Sequence, residues 1–498
     1  MAIASVDLFI IGGGINGAAI ARDAAGRGLR VMLAERGDYA SATSSASSKL
    51  IHGGLRYLES FEFGLVRHSL SERDQLSRTA PHLVEPLRFL MPITADQPRP
   101  AWLVYLGLKL YDLLAWRKNI GLSGRLSASQ IADLPMLRKT SLRSVFQYFD
   151  CRTDDARMVL AQLLDARQRG ADIGNYRDVT NIAALENGYR VSVSENGARR
   201  DIDARFVVNA AGPWVNQVNR LCDAPPPERV LRLVRGSHIV LAMPAPAQRS
   251  AYTLQNNDGR VVFTLPWLND RYLVIGTTDE PHKGDASTAL CTAKERDYLL
   301  EVYNRYFDHP GGAAAARDVI TSWSGVRALA DDGDDDPSKV TRSAGYSDRA
   351  QGVGGIISVY GGKLTTHRIL AEQVMTRLAQ LGADVGSAWT QYTPLHGGRF
   401  TRDELTDLAA AGSDLLSVTT RRRWVFTYGD QTTALYKAVE DNPTLAQEIT
   451  PGIPEVELIH AREVEDARSA DDFLKRRTKL FIDLTALQRD KIADWFGG

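Results

Sequence analysis

The feature that most constrains this chain is a glycine-rich turn near its N-terminus. Gly12-x-Gly14-x-x-Gly17 follows a short apolar run, residues 7–11 (DLFII), and opens a small-residue segment, residues 15–27, with a helical pattern. A second apolar run follows at once. This order predicts a β-α-β unit with parallel strands and a right-handed crossover. We therefore expect an α/β fold.

The spacing of these glycines points to a dinucleotide. In such a turn the first glycine permits a tight bend, the second lets the backbone approach a pyrophosphate, and the third allows close helix-strand packing. The N-terminus of the helix then offers unpaired N–H groups to the phosphates. Glu35, 23 residues after Gly12, can accept hydrogen bonds from a ribose diol, and its charge disfavours a 2′-phosphate. The motif therefore predicts FAD or NAD rather than NADP.

Composition narrows the class of protein. The 498 residues are 44% hydrophobic and 24% charged, as expected of a globular chain with roughly three domains. The 60 basic residues balance 60 acidic ones, so no net charge attracts a polyanion and no nucleic-acid partner is expected. Cys151, Cys222 and Cys291 are too far apart in sequence to form a metal or redox pair. We expect no metal site and a cytoplasmic location.

The rest of the chain alternates between two kinds of pattern. Residues 206–211 (FVVNAA) form an apolar run typical of a buried parallel strand. Residues 229–278 instead read as antiparallel strands, with Asn269 and Asp270 at a hairpin turn. From residue 401 onward the pattern predicts helices only. We therefore expect an α/β nucleotide-binding domain, an inserted antiparallel-sheet domain and a C-terminal helical domain.

The nucleotide-binding domain is expected to consist of separate segments. Five prolines between residues 81 and 100 are predicted to break the chain and mark its first exit from that domain. A later apolar strand, residues 356–360, leads into Gly361 and Gly362 and marks a return. The predicted limits are 1–92, 146–215 and 345–385 for the nucleotide-binding domain, 93–145 and 216–344 for the substrate domain, and 386–498 for the C-terminal domain.

The choice between NAD and FAD depends on segments outside the first β-α-β unit. Residues 42–57 carry six hydroxyl side chains and two consecutive glycines. Residues 209–214 and 360–366 likewise contain glycine-rich turns that follow apolar strands. FAD is an extended cofactor that needs binding elements beyond the first unit. Convergence of these distant segments therefore favours FAD.

Seven segments, in order along residues 7–370, resemble the FAD-dependent glycerol-3-phosphate dehydrogenases: IIGGGINGAAIARDAAGRGL, ATSSASSKLIHGGLRYLE, VVNAAGPWV, GSHIV, IGTTD, SGVR and YGGKLTT. The resemblance implies an FAD-binding fold of the glycine/D-amino-acid-oxidase type with an inserted substrate domain. One departure is Ala328, where the family commonly has a proline after the arginine. That change leaves the charge of the motif in place.

The resemblance also implies a set of cofactor contacts. They fall at the glycine turn, at the end of the second strand, in the Ser-rich segment and at the later glycine-rich turns. The residues expected to contact FAD are Gly12, Gly13, Gly14, Ile15, Asn16, Gly17, Glu35, Arg36, Thr43, Ser44, Ser45, Ser48, Lys49, Leu50, His52, Gly54, Val179, Ala210, Gly212, Gly362, Lys363, Leu364 and Thr365.

By the same resemblance, the substrate is sn-glycerol 3-phosphate, oxidised to dihydroxyacetone phosphate by hydride transfer from C2 to FAD. A phosphate dianion requires cations that form several charge-assisted hydrogen bonds. The candidate substrate-binding residues are Arg56, Tyr57, His238, Arg327, Arg342 and Lys363. Arg56, His238, Arg327 and Lys363 are also the candidate catalytic residues. The proton acceptor stays open, because His238 suits a base whereas Arg327 and Lys363 suit stabilisation of an alkoxide.

The family resemblance implies a membrane quinone as electron acceptor, and the alternative is an oxidase that uses oxygen. An amino-acid oxidase of the same fold and a non-catalytic flavin-binding module are weaker alternatives. Residues 101–116 are the most apolar helix candidate, but 16 residues are too few to span a bilayer. Aromatic ends flanked by Arg117 and Lys118 are typical of an interfacial anchor, although an ordinary packed helix has the same pattern.

A lipid-soluble acceptor requires some protein surface to approach the bilayer. We therefore expect peripheral attachment to the inner, cytoplasmic face of the cell membrane. The basic cluster at residues 421–424 (RRRW) is the alternative contact. The oligomeric state is open, with a homodimer as one alternative.

Overall fold

The computed structural model describes residues 4–97, 99–116, 120–309, 311–330 and 345–497. The described strands are β1 (Ala4–Ile11), β2 (Val31–Ala34), β3 (Leu50–Ile51), β4 (Val84–Thr94), β5 (Gly124–Arg125), β6 (Leu142–Thr153), β7 (Asp172–Gly174), β8 (Arg177–Leu185), β9 (Gly188–Glu195), β10 (Ala198–Asn209), β11 (Leu231–Ala242), β12 (Ala251–Gln255), β13 (Val261–Trp267), β14 (Tyr272–Gly276), β15 (Glu280–Pro281), β16 (Val319–Ala330), β17 (Gly345–Gln351), β18 (Gly354–Tyr360), β19 (Glu448–Thr450) and β20 (Ile453–Pro454).

The α-helices pack on and between the sheets formed by these strands. They are α1 (Ile15–Gly26), α2 (Phe63–Thr79), α3 (Ala101–Ala115), α4 (Ala128–Ala132), α5 (Asp155–Gln168), α6 (Val215–Asn219), α7 (Ala293–Tyr306), α8 (His367–Gln380), α9 (Arg402–Ala410), α10 (Val418–Tyr428), α11 (Thr432–Asp441), α12 (Glu455–Glu463) and α13 (Ala486–Gly497).

The first sheet is the α/β layer predicted from the glycine motif. Its main strand order is β17-β18-β10-β1-β2-β7, and the pairs of β1 with β2 and with β10 are parallel. Leu8 and Ile10 face a core shared with α1, α5 and α8, whereas Phe9 and Ile11 face the opposite core beside β9. Both faces of β1 are therefore covered, which explains why its sequence is a continuous apolar run rather than an alternating one.

The second sheet has ten strands, in the main order β15-β11-β14-β13-β12-β4-β6-β3, with β16 beside β11 and β5 beside β6. Most of its pairs are antiparallel, and β13 and β14 form the predicted hairpin with Asn269 and Asp270 at positive φ in the turn. Helix α7 covers one face, through Leu299 and Tyr303, and α2 and α3 cover the other. The expected antiparallel layer is thus present.

The strand pairing differs from the expectation in one region. The prolines were expected to break the chain, but Pro86 and Pro92 lie within β4, which pairs with β6 along nearly its whole length. On its other side β4 pairs with β12 only at Phe89 and Leu90. Proline is tolerated where a strand needs no second hydrogen-bonding partner. As a result β3, β4 and β6 lie in the antiparallel sheet. The predicted domain limits assign most of their residues to the nucleotide-binding domain. Those limits stay a prediction.

The C-terminal unit is mainly helical but contains the short hairpin β19–β20, so the expectation of helices only is wrong there. Its core includes Trp424, which is fully buried. The unit docks onto α5 through a buried ion pair between Arg157 and Glu465, with Nη1 and Oε1 2.6 Å apart. Docking of this kind makes the unit part of the same packed body as the first sheet.

Helix α3 bears on the expectation of membrane contact. Helix α3 leaves Trp102, Leu106 and Leu113 more than half exposed. The flanking Arg117 and Lys118 lie outside the described residues. No helix within the described ranges is long and apolar enough to cross a membrane.

The basic cluster at residues 421–424 is unsuited to membrane contact, so that alternative is wrong. Arg421 and Trp424 are buried, and Arg423 forms an ion pair with Glu457 inside the C-terminal unit. Arg422 alone of the four is exposed. Arg421, Arg423 and Trp424 instead pack within the C-terminal unit.

Candidate active site

The glycine turn between β1 and α1 requires glycine at two of its positions. Gly12 has φ of +109°, and a Cβ there would lie 2.7 Å from the carbonyl oxygen of Ala210. A Cβ on Gly17 would lie 1.9 Å from the carbonyl oxygen of Gly12. A Cβ on Gly14 would meet only Ser44 Oγ, at 3.1 Å. The turn is therefore closely packed at Gly12 and Gly17, and the neighbour of Gly14 is the hydroxyl of Ser44.

Glu35 lies at the end of β2, directly beside this turn. Its carboxylate accepts hydrogen bonds from the backbone N–H groups of Gly13, at 2.7 Å, and Gly37, at 2.9 Å. Burial raises the pKa of Glu35, and the two N–H groups offset only part of that rise. Each carboxylate oxygen keeps a further lone pair, so the side chain can still accept from a ribose hydroxyl.

The structure brings the predicted cofactor segments together. The Ser-rich segment contacts the first turn of α1, where Ile15 N–H donates to Ser44 Oγ at 3.0 Å. The last glycine-rich turn contacts the same helix, because Asn16 Nδ2 donates to the carbonyl of Gly361 at 2.9 Å. His52 N–H donates to Thr365 Oγ1 at 3.3 Å. Segments from three parts of the chain therefore surround one position.

Some of the predicted cofactor residues have protein partners. Lys49 Nζ forms a buried ion pair with Asp155 at 2.7 Å and also donates to the carbonyl of Ser45. A buried ammonium needs such partners, so its contacts indicate a structural role. Arg36 stacks over the ring of Trp214, with 4.2 Å to the centroid. No feature of the sequence pairs Lys49 with Asp155, because 106 residues separate them.

Other predicted cofactor residues occupy three kinds of position: the buried core, a hydrogen bond to β16 and turns of positive φ. Leu50 and Val179 are buried core residues, the first in β3 and the second in β8 beside Ala34. Thr43 Oγ1 donates to the carbonyl of Val326 at 2.7 Å, which ties the Ser-rich segment to β16. The glycines that require positive φ are Gly54, Gly212 and Gly362.

The candidate substrate cations form a linked group. Arg327 on β16 forms an ion pair with Asp279, and Arg56 Nη1 lies 3.8 Å from the other oxygen of the same carboxylate. Lys363 Nζ lies 3.8 Å from the ring centroid of Tyr57, the residue next to Arg56. Two predicted residues therefore meet at one carboxylate, which the sequence analysis quoted within IGTTD but gave no role. Two more, Tyr57 and Lys363, contact each other next to Arg56 in sequence.

His238 on β11 lies deep in this region. Its Nε2 is 2.8 Å from Ser48 Oγ, and its ring stacks on Trp323 with centroids 5.3 Å apart. Burial, together with the positive charges of Arg327 and Lys49, holds the pKa of His238 well below its ordinary value of 6.5. The imidazole is therefore neutral near pH 7 and able to accept a proton.

Comparisons with known proteins agree with this geometry. Residues 7–374 match the family of FAD-dependent oxidoreductases called DAO, and residues 388–493 match the C-terminal domain of alpha-glycerophosphate oxidase. The aerobic glycerol-3-phosphate dehydrogenase of Escherichia coli is 39% identical, over 98% of this chain and 97% of that protein. The glycerol-3-phosphate dehydrogenase of Pseudomonas aeruginosa is 40% identical over 98% and 94%. This chain belongs to the FAD-dependent glycerol-3-phosphate dehydrogenase family.

Three further similarities bear on the membership. The D-erythritol 1-phosphate dehydrogenase of Brucella abortus is also 40% identical, over 98% of this chain and 97% of its own length. The solved glycerol-3-phosphate dehydrogenase of Bacillus halodurans in complex with FAD has a TM-score of 0.79 and 28% identity, over 99% of this chain and 90% of that one. The glycine oxidase of Geobacillus kaustophilus, with a TM-score of 0.57, shares the fold. The expected fold and the FAD requirement are confirmed.

One structural observation, independent of the names of the relatives, indicates that this site fits FAD. Asn16 Oδ1 and Lys363 Nζ are buried and lack a hydrogen-bond partner among the described residues. Both lie where the glycine turns converge, and buried polar atoms normally have partners. A cofactor with phosphates and a polar ring system supplies such partners.

Arg342 lies outside the described residues, so its place in the site stays a prediction. Within the described ranges no cluster of His, Cys, Asp or Glu could hold a metal ion. The residues that the sequence analysis missed are Asp279, Asp155 and Trp323. Only Asp279 carries a sequence signal, since it lies in a motif shared with the family.

Proposed function

We propose that this enzyme oxidises sn-glycerol 3-phosphate to dihydroxyacetone phosphate. The observation that carries the proposal is the linked group of Arg56, Asp279 and Arg327, with Lys363 beside it, next to the converging glycine turns. A guanidinium pair on a shared carboxylate is held in a fixed geometry and suits a phosphate dianion. The names of the relatives at about 40% identity support the same substrate class.

FAD, when bound, supplies the acceptor for the hydride that leaves the substrate carbon. The residues proposed to hold it are those of the glycine turn and Glu35, together with Asn16 and Lys363. The protein's own task is to bind the phosphate, orient the C2 hydroxyl and remove its proton. Neutral His238 can take up that proton, and the charges of Arg327 and Lys363 stabilise the oxygen from which it leaves.

The relatives leave two polyol phosphates as candidate substrates. D-erythritol 1-phosphate has one carbon more than glycerol 3-phosphate, and a dehydrogenase named for it is as similar to this chain as those named for glycerol 3-phosphate. The test is an anaerobic titration of the purified yellow protein. Bleaching of the flavin by glycerol 3-phosphate, but not by glycerol, supports the proposal. Bleaching by D-erythritol 1-phosphate but not by glycerol 3-phosphate would identify D-erythritol 1-phosphate as the substrate instead.

For the electron acceptor we propose a membrane quinone, with oxygen as the alternative. Turnover measured with a soluble quinone analogue and with oxygen alone separates the two. Stoichiometric peroxide formation at an undiminished rate without the quinone would identify an oxidase. A homodimer stays a prediction.

For location we propose peripheral attachment to the inner face of the cell membrane. The support is the exposed apolar face of α3, formed by Trp102, Leu106 and Leu113. Soluble proteins rarely leave such side chains together in water, and aromatic residues are favoured at lipid headgroup level.

A further inference from the structure

The C-terminal unit reaches the loop that follows β2. Asp38, three residues after Glu35, forms a bidentate ion pair with Arg477. The Nη1–Oδ2 and Nη2–Oδ1 distances are 2.5 and 2.8 Å. The adjacent Arg476 also pairs with Asp38. The side chains of Asp38 and Arg477 are 1% and 0% exposed. We call Asp466, Arg476 and Arg477 the C-terminal latch.

A second bond of the latch holds the next residue of the loop. Tyr39 OH donates to Asp466 Oδ2 at 2.8 Å, and the ring of Tyr39 is buried. Asn175, at the end of β7, bridges the two sides by donating to Asp38 Oδ1 and to the carbonyl of Asp466, each at 2.9 Å. The loop and the C-terminal unit therefore share a continuous hydrogen-bonded network.

The loop held by the latch also supports the glycine turn. Ala40 N–H donates to the carbonyl of Gly13 at 3.1 Å. A Cβ on Gly13 would lie 2.9 Å from Cβ of Glu35 and 3.1 Å from Cδ1 of Tyr39, so the three residues are in tight contact. Movement of Tyr39 would therefore displace Gly13 and Glu35, because close-packed groups transmit small shifts.

A buried ion pair of this kind adds little net stability over an apolar pair of the same volume, because both charges lose their hydration. It does specify one geometry. Here the geometry specified is that of the adenosine half of the FAD site, since Glu35 is the residue proposed to accept from the ribose. We propose that the C-terminal latch positions Glu35 and the glycine turn and thereby retains FAD. The inference rests on family membership and not on the proposed substrate.

The experiment compares FAD release from holoenzyme variants. Tyr39→Phe removes only the hydroxyl that bonds to Asp466, and Arg476→Met removes one charge while keeping much of the side-chain volume. Dilution of each holoenzyme is followed by the rise in flavin fluorescence as FAD is released. Loss of one charge-assisted hydrogen bond changes an equilibrium constant roughly tenfold. If that loss weakens FAD binding through its dissociation rate, FAD is released about tenfold faster in either variant.

The matched control is Arg271→Met. Arg271 joins the hairpin of the antiparallel sheet to Asp483 of the same C-terminal unit at 2.6 and 2.7 Å, away from the loop after β2. We expect its FAD release to stay within about twofold of the wild type. The KM for the substrate should be unchanged in FAD-saturated enzyme of all three variants.

Two outcomes would overturn the inference. One is wild-type release rates in both Tyr39→Phe and Arg476→Met. The other is equal acceleration in Arg271→Met, which would mean that any loosening of the C-terminal unit releases FAD. Far-UV circular dichroism at the same temperature checks that the variants remain folded. Because release is measured without substrate, the result does not depend on which polyol phosphate is oxidised.

Discussion

Arg327 is the residue whose replacement tests the substrate site most directly. In Arg327→Ala the Asp279 carboxylate loses its closest cation and keeps Arg56 at 3.8 Å. The site then loses the charge-assisted contact proposed to bind the phosphate of the substrate. We expect kcat/KM to fall by an amount equivalent to about 3 kcal/mol or more.

Arg327→Lys should recover little of this loss, because an ammonium lacks the planar fork that could bond to Asp279 and to a phosphate at the same time. Arg317→Ala is a matched control, since Arg317 is 79% exposed. Near-normal kcat/KM in Arg327→Ala would remove this residue from the site. Equal losses in the control would indicate a general effect on the fold.

His238 gives a prediction about pH. Burial, then Arg327 and Lys49, hold its pKa well below 6.5, so the imidazole stays neutral and able to act as a base down to pH values well below 6.5. We expect kcat at saturating glycerol 3-phosphate to fall only when acid protonates this buried ring. In His238→Gln kcat should be low and its acidic limb should be lost.

The measurement is a profile of kcat from about pH 8 down to the lowest pH at which the enzyme stays folded, which reports on groups in the enzyme-substrate complex. A limb centred at 6.5 in the wild type would contradict the lowered pKa. A His238→Gln variant with wild-type kcat and the same acidic limb would exclude His238 as the proton acceptor and leave the role to another group.

At the scale of elements, α3 gives the sharpest test of location. Its inner face packs through Leu108 and Tyr111, which are buried, whereas Leu106 and Leu113 are 58% and 59% exposed. We expect the double variant Leu106→Glu, Leu113→Glu to lower the affinity for vesicles of anionic lipid by about tenfold or more, because it removes two apolar contacts and adds two negative charges. Flotation of the protein with vesicles is the measurement.

Leu487→Glu is the control for this experiment. Leu487 is 70% exposed on α13, in the C-terminal unit, so it tests the effect of a new charge elsewhere. A wild type that does not float with vesicles would reject membrane attachment. Unchanged flotation of the α3 variant would reject only this helix.

At the scale of the whole molecule, the docking of the C-terminal unit predicts sensitivity to acid. Burial alone would raise the pKa of Glu465, but Arg157 and His460 outweigh it and hold that pKa far below the ordinary 4.5. Arg477 and Arg476 likewise hold the pKa of Asp38 below 3.8 against the effect of burial. Carboxylates of this kind stabilise the fold above their ordinary pKa and lose that contribution as pH falls below it.

We therefore expect the unfolding temperature to be nearly constant from neutral pH to about 5 and to drop steeply below about 4.5. Scanning calorimetry across this range is the measurement. Glu465→Gln should lower the unfolding temperature at neutral pH and flatten the acidic drop. The exposed pair of Lys437 with Asp441 offers a control, since Asp441→Asn should change neither feature. An equally steep drop in Glu465→Gln would exclude this carboxylate as the cause.

Local sequence was sufficient wherever short-range chemistry decides the structure. The glycine turn is one such place, because Gly12 and Gly17 are the residue type that the backbone geometry itself requires. The hairpin at Asn269 and Asp270 is another, since these residue types tolerate positive φ. The resemblance to a family, carried by motifs in the same order, predicted the segments that converge at the glycine turn and the candidate substrate-binding cations.

Only the tertiary structure decided which distant residues became partners. Asp279 joins Arg56 to Arg327, Asp155 neutralises Lys49, and β4 crosses into the antiparallel sheet despite its prolines. Arg477 reaches Asp38 across 439 residues of sequence. A charged side chain looks the same in sequence whether it is solvated or buried, because its partner is selected by the packing of whole elements and leaves no pattern in the chain around it.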